Sequence, residues 1–155
     1  MPTTPNPDAA EFYTYRFFAN NRTFYVGKGH WVTGQKTQRV SDRGIFASRL
    51  SRNQIERGVE HMGLKKKDIQ VLNLLHFKHK IEVRWEFIGK RDIKESEALA
   101  QEADYIKKCL AEDKKCCLAN HDMNPEQHTV EQVIAWILAG DTTPSHVGQV
   151  LEFKD

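Results

Sequence analysis

The sequence predicts a small α+β fold, an α/β sandwich in which three strands form a central sheet with helices packed around it. Two strands are expected from a hairpin near the N-terminus. The third is expected at residues 81–87, where apolar and charged residues alternate until Gly89 closes the strand. A chain of 155 residues that is 39% hydrophobic and 28% charged can bury one core. We therefore expect one compact domain.

The hairpin is predicted from an alternating run and a two-residue turn. Tyr13, Tyr15 and Phe17 occupy alternate positions, so they share one face of a strand. The pair Asn20-Asn21 tolerates the left-handed backbone that a two-residue turn needs, and residues 23–26 return as the partner strand. Such a hairpin can present tyrosine phenols side by side.

Weaker patterns occupy the region between the hairpin and the third strand. Residues 30–38 have no clear period, which predicts a loop. Ser41 or Asp42 could cap a helix that starts after Arg39, and residues 45–59 are loosely helical.

Three later helices are predicted from periodicity and capping signals. The first covers residues 68–77. Asp92 with Glu95 forms a capping box that opens the second, and Thr129 with Gln132 forms a box that opens the third. The third helix carries an apolar stripe, which predicts that it packs on the core or on a partner.

Composition and cysteine spacing restrict the class of protein. The net charge is +2, from 23 Lys and Arg against 21 Asp and Glu, so only a local basic surface could indicate nucleic acid. The cysteines lack paired spacing and are expected to be reduced thiols. No apolar stretch suits a membrane span or a signal peptide, which predicts a cytoplasmic protein without a membrane partner.

Two short motifs in the predicted hairpin carry a resemblance. Tyr13-Thr14-Tyr15 and Tyr25-Val26-Gly27 resemble the two signature strands of the GIY-YIG nuclease family. The second strand is most similar to the subtype that reads F-Y-V-G-K-G, which residues 24–29 spell. Residues 97–107 resemble the family's E-A-L-x-x-E-x-x-x-I-K helix, and residues 118–120 its L-x-N turn.

The resemblance runs in order from about residue 13 to residue 120. It implies a mainly antiparallel central sheet and a GIY-YIG-like nuclease domain over residues 11–124. Residues 1–10 are expected to be a disordered arm. Residues 125–155 are expected to be a C-terminal helix packed on the same domain, followed from residue 141 by an irregular tail.

The family pattern also suggests which residues form a catalytic site. It implies a catalytic set of Tyr13, Tyr15, Tyr25, Lys28, Arg39, Arg43, Glu102 and Asn120. The residues expected to contact nucleic acid are Lys28, His30, Arg39, Arg43, Arg49 and Arg52. Arg39 and Arg43 compete for one phosphate-contacting role, which suits the planar guanidinium, and Arg39 is preferred because it lies closer to the glycines of the second strand.

Helical geometry singles out Glu102 among the glutamates of the second helix. It lies three residues after Leu99 and four before Ile106, so it borders the apolar face, whereas Glu95 and Glu97 are expected to point away. A carboxylate at the edge of the core needs compensation, either by a divalent cation or by a salt bridge to Lys or Arg. The resemblance matches Glu102 to the family's metal ligand.

The function implied is hydrolysis of DNA phosphodiester bonds with one Mg²⁺ or Mn²⁺ per site. A tyrosine would take the proton from water, helped by Lys28, because a free phenol with a pKa near ~10 is weakly ionised. An alternative is a catalytically degenerate domain that binds nucleic acid or a protein, since residues 30–38 form a long insertion and the family's glycines are missing after Asn120. A homodimer and a protein partner both stay open.

Overall fold

The structure is a computed structural model that describes residues 8–33, 39–41, 50–51, 66–112, 118, 127–151 and 153–154. The predictions for Arg43, Arg49, Arg52 and Asn120 lie outside these residues. So does most of the predicted arm at residues 1–10.

Strands and helices occupy most of the described chain. The strands are β1 (Phe12–Ala19), β2 (Arg22–Thr33), β3 (Arg39–Ser41), β4 (Leu50–Ser51), β5 (Val83–Ile93), β6 (Gln149–Val150) and β7 (Phe153–Lys154). The helices are α1 (Lys66–Asn73), which continues as a π-helical segment (Leu74–Lys78), α2 (Glu95–Glu112) and α3 (Val130–Leu138). Within the described ranges, no helix is long and apolar enough to cross a membrane.

The main sheet has five strands in the order β3-β2-β1-β5-β6, and every neighbouring pair is antiparallel. Its three long strands are the predicted ones, and β3 and β6 add a short strand at each edge. A separate pair joins β4 to β7 in parallel. The predicted small α+β fold is confirmed, with a sheet of five strands rather than three.

The hairpin of β1 and β2 forms as its sequence predicts. Asn20 and Asn21 both have positive φ angles, 48° and 59°, which is the conformation that a two-residue turn of this kind requires. β1 also pairs with β5 on its other edge, so it is the central strand, and seven of its eight residues are buried.

Helices cover both faces of this sheet. On one face, the Thr14 hydroxyl donates to the carbonyl of Ala98 in α2 at 2.9 Å. On the opposite face, the Arg22 guanidinium lies 3.8 Å from the centre of the Trp136 ring in α3. Because Thr14 alternates with Tyr13 and Tyr15 along β1, the tyrosines share the face that α3 covers. α1 packs on α3, and its residues belong to the same core cluster as the tyrosines.

Two glycines in β2 make room for the tyrosines of β1. Tyr15 is directly opposite Gly27, and Tyr13 is opposite Gly29. A Cβ at Gly27 would lie 2.6 Å from Cζ of Tyr15, and one at Gly29 would lie 2.5 Å from Cζ of Tyr13. The rings therefore lie against bare backbone, and both glycines are inside a strand rather than in a turn.

Several predicted boundaries in the middle of the chain are wrong. β2 continues to Thr33, so residues 30–33 of the predicted loop are strand, and residues 34–38 lie outside the described residues. Residues 39–41 form strand β3, which hydrogen-bonds to the edge of β2. The helix predicted after Arg39, with Ser41 or Asp42 as its cap, would follow this strand and lies outside the described residues. Leu50 and Ser51 pair with Phe153 and Lys154, so these four residues are strands, not parts of a helix and of an irregular tail.

β5 does not end at Gly89, as the sequence suggested. It continues to Ile93 through a bulge, in which Gly89 has a φ of +64°. The amide of Gln101 on α2 satisfies the bulge, because the Lys90 N–H donates to Oε1 at 2.7 Å and Nε2 donates to the Lys90 carbonyl at 3.1 Å. A Cβ at Gly89 would collide with this amide, 2.9 Å from Cδ.

The two predicted capping boxes have different outcomes. The box at Thr129 and Gln132 is confirmed, with reciprocal hydrogen bonds of 2.8 and 3.1 Å. α2 begins at Glu95 rather than just after Asp92, and Lys94 occupies the capping position because its carbonyl accepts from Ala98 N at 3.0 Å. Asp92 lies in β5 with a φ of 58°.

We expect Gly27→Ala to lower the free energy of unfolding by about 1–3 kcal/mol, because the added methyl group displaces the Tyr15 ring in a packed core. In the Tyr15→Ala background the same change should be neutral or stabilising by about 0.5–1 kcal/mol, as it is for glycine in ordinary strands. Urea denaturation of the four proteins of this double-mutant cycle measures both values. Equal costs in the two backgrounds would contradict the packing described.

Candidate active site on the α2 face of the sheet

Glu102 lies on the side of α2 that faces the sheet. It is 8% exposed, and Ala98 and Ile106, one turn away on either side, are fully buried. The prediction that Glu102 borders the apolar face is thus confirmed, and Glu97 is exposed as expected. A carboxylate in this position must be compensated within the fold or by a bound cation.

Lys28 extends from β2 to the start of α2. Its Nζ lies 3.2 Å from Oε1 of Glu95, and both side chains are partly exposed. Lys28 is directly opposite Thr14, so it belongs to the α2 face of the sheet. Glu95 is partly exposed and reaches this ammonium group because the first turn of α2 lies beside Thr14, the residue opposite Lys28. Its carboxylate in the first turn also suits the helix dipole.

His30 is on the same face as Lys28, two residues further along β2. Its ring is 5.7 Å from the Phe12 ring, and it is half-buried. Lys28, His30, Glu95 and Glu102 thus lie on one side of the sheet.

The three hairpin tyrosines form an aromatic layer on the opposite side. Tyr13 and Tyr15 are fully buried, and Tyr25 is half-buried. Ring centres of Tyr15 and Tyr25 are 6.1 Å apart, and the Tyr13 ring is 4.9 Å from that of Trp31. The phenols lie close together, as the hairpin predicted, but within the core.

Strand alternation separates these tyrosines from Glu102. Thr14 and Arg16 point toward α2, where the Arg16 guanidinium lies 6.0 Å from the centre of the Tyr105 ring. Tyr13 and Tyr15, at the alternate positions of β1, point the other way. The structure brings Lys28 and Glu102 to one face and does not bring the hairpin phenols to that face.

The preferred candidate for the phosphate-contacting arginine lies in a strand at the edge of the sheet. Arg39 lies in β3, opposite Thr33 of β2, at the edge of the main sheet. Leu118, two residues before Asn120, is fully buried in the core cluster.

Sequence reasoning missed the polar residues that join α2 to the sheet. Gln101 donates from Nε2 to Oγ1 of Thr14 at 3.1 Å. Arg16 donates to Oε1 of Glu86 and to Oγ1 of Thr23, both at 2.6 Å. The sequence did contain one indication of this polar layer. Thr14 and Arg16 are polar residues at alternate positions of a strand that is otherwise mostly aromatic, so they share one face.

A metal at this face would depend on few protein ligands. Among the described residues, no three His, Cys, Asp or Glu side chains come together as a metal-binding group. Mg²⁺ is commonly held by one or two carboxylates together with waters and substrate phosphates. Glu102 alone is therefore compatible with a metal that binds together with DNA.

Cys109 lies on α2, and its thiol is near Arg16 and Thr23 of the sheet. Burial raises the pKa of its thiol, and the nearby Arg16 guanidinium lowers it in part. At pH values between the ordinary pKa of cysteine and the raised pKa in the folded state, the native protein therefore keeps this thiol proton and the unfolded chain loses it. The stability contributed by this protonated thiol is present below its ordinary pKa and is lost as the pH rises through the folded-state pKa.

We expect Cys109 to react more slowly with a thiol reagent in the native protein than in urea at about pH 8, because fewer molecules carry the thiolate. Cys116→Ser with Cys117→Ser leaves Cys109 as the only thiol for this measurement. Equal rates in the two states would contradict the effect of burial.

Comparisons of the chain with models of protein families, with curated proteins and with solved structures found no match.

Proposed function

We propose that this chain is a divalent-metal-dependent DNA endonuclease of the GIY-YIG type. The observation that carries the proposal is the nearly buried Glu102 carboxylate, which faces a hairpin whose strands carry the family-like motifs. The resemblance matches this carboxylate to the family's metal ligand, and Lys28 and His30 lie on the same face of the sheet.

In this proposal, Glu102 holds one Mg²⁺ or Mn²⁺ on the α2 side of the sheet. The metal would stabilise the charge that develops on the phosphate and on the leaving oxygen. Lys28 is on the same side and offers a second cation to the DNA backbone. Arg39 or Arg43 would bind the non-bridging oxygens, and Asn120 would hold the neighbouring loop.

The proton acceptor is a tyrosine in this proposal. Tyr25 is the most accessible of the three hairpin phenols, because Tyr13 and Tyr15 are fully buried. All three lie on the face away from Glu102, so DNA binding would have to bring a phenol within about 3 Å of the attacking water.

The burial of Tyr13 and Tyr15 favours a second function. A domain of this kind could bind nucleic acid or a protein without cleaving it, with the tyrosines serving only to pack the hairpin. Lys28 and His30 would then contribute to a binding surface, and Glu102 would be compensated by a salt bridge within the fold.

We expect the purified protein to nick supercoiled plasmid in Mg²⁺ or Mn²⁺ and to lose this activity in EDTA. Glu102→Gln should reduce nicking by more than about 100-fold, because it removes the metal carboxylate at constant size. Glu97→Gln is the matched control, since Glu97 is an exposed glutamate on the same helix. Gel quantification of nicked and linear product gives the rates.

If the Glu102→Gln protein nicked plasmid at the wild-type rate, Glu102 would be excluded as the metal ligand. No cleavage by the wild-type protein, together with DNA binding measured by fluorescence anisotropy, would support the second function.

Single Tyr→Phe changes test which phenol takes the proton. We expect Tyr15→Phe and Tyr25→Phe to slow nicking, by about 100-fold for the phenol that acts as the base, and Tyr105→Phe to leave the rate unchanged. Tyr105 lies on α2, three residues after Glu102. If instead Tyr105→Phe slowed nicking and both hairpin changes left the rate unchanged, the proton acceptor would lie on the α2 face.

A further inference from the structure

A cavity of about 480 Å³ lies at the turn end of the hairpin. The hairpin, the turn before β5 and the segment after α3 form its walls. It is separated from Lys28 on the α2 face, because Thr14, opposite Lys28, and Phe18 at the cavity lie about 13 Å apart along β1. Its volume is within the range of small-molecule sites in proteins.

The walls of the cavity are fixed by hydrogen bonds. Asn21 Nδ2 donates to the carbonyls of Asp141 and Thr143, both at 2.9 Å. Asn20 Nδ2 donates to the carbonyl of Ile137 at 3.1 Å. The chain after α3 is therefore held over the hairpin turn, and the cavity is formed before any ligand binds.

The charged groups of the lining favour an anion. Among the described residues of the lining, Glu82 is the one carboxylate, and Nε of Arg84 donates to it at 2.6 Å, so these two charges offset each other. Lys80 is exposed on the same wall and gives the cavity a positive charge, and the half-buried His79 is next to it.

The backbone at Lys80 is unusual for a lysine. Its φ is 55°, in the left-handed region where residues other than glycine are strained. This conformation places the lysine at the rim of the cavity.

The apolar part of the lining favours a ligand with a flat or apolar body. Phe18, Ile81 and Pro144 line the cavity together with Leu138, which is 45% exposed although it is a large hydrophobic residue. The polar residues Thr142 and Ser145 line the same cavity. An anionic group near Lys80 and an apolar ring against Leu138 would use both kinds of surface.

We infer that this cavity is a binding site for a small organic anion of about mononucleotide size, with a phosphate or carboxylate at Lys80 and an apolar or aromatic body against Leu138. The site is independent of the proposed nuclease function, because none of Lys28, His30, Glu95 and Glu102 lines it.

Backbone amide NMR tests the inference with three probes: AMP, adenosine and inorganic phosphate. We expect AMP to bind with a Kd of about 1 mM or below, and each of the two fragments to bind at least about 10-fold more weakly. The shifted amides should belong to residues 18–21, 79–84 and 138–145, which contain the cavity lining. An aromatic carboxylate such as benzoate, in a fourth titration, distinguishes a phosphate requirement from a requirement for any anion.

Lys80→Asn should weaken AMP binding by about five-fold or more, because it removes the positive charge while asparagine tolerates the left-handed backbone. Lys94→Asn is the matched control, since Lys94 is an exposed lysine at the capping position of α2, where asparagine is well accepted. The inference is overturned if AMP causes no shifts, if the shifts lie elsewhere, if phosphate alone binds as tightly as AMP, or if Lys80→Asn binds like the wild type.

Discussion

The fold depends on the burial of β1 between β2 and β5. A central strand with partners on both edges satisfies its backbone groups within the sheet, and helices can then cover both of its faces. Its side chains are sorted by alternation into two sets with different chemistry. The tyrosines form the aromatic side, whereas Thr14 and Arg16 form a polar side that needs hydrogen-bond partners.

Those partners come largely from α2 and the neighbouring strands. Gln101 bonds both to Thr14 and to the bulge of β5, so one amide joins the helix to two strands. Glu86 and Thr23 satisfy Arg16 in the same layer. Glu102 and Lys28 therefore lie beside a layer of polar side chains that are held by hydrogen bonds. Such neighbours can fix the position of a ligand carboxylate.

The sequence predicted best where local chemistry determines the structure. The Asn20-Asn21 turn, the alternation of residues 83–87 and the capping box at Thr129 each depend on residues close together in the chain, and each is confirmed. The exposure of Glu97 and the burial of Glu102 also followed from helical periodicity.

The predictions failed where contacts between segments far apart in the chain determine the structure. Strand β3 forms because the edge of β2 is available to it, and Gly89 continues a strand because a glutamine from α2 satisfies the bulge. The contact of Lys28 with Glu95 depends on where α2 begins relative to β2. Local propensity does not report contacts between distant segments. The motifs alone therefore could not show which face of the sheet α2 covers, or that this face is the one without the tyrosines.

The pairing of the C-terminal residues has a consequence for how the chain folds. Val150 joins β5 opposite Arg84, and Phe153 joins β4 opposite Leu50, so both sheets take a strand from the last few residues. Pairings that close such long loops are entropically costly and form slowly. During synthesis the hairpin can form early, whereas the two sheets are completed only after residues 149–154 have left the ribosome.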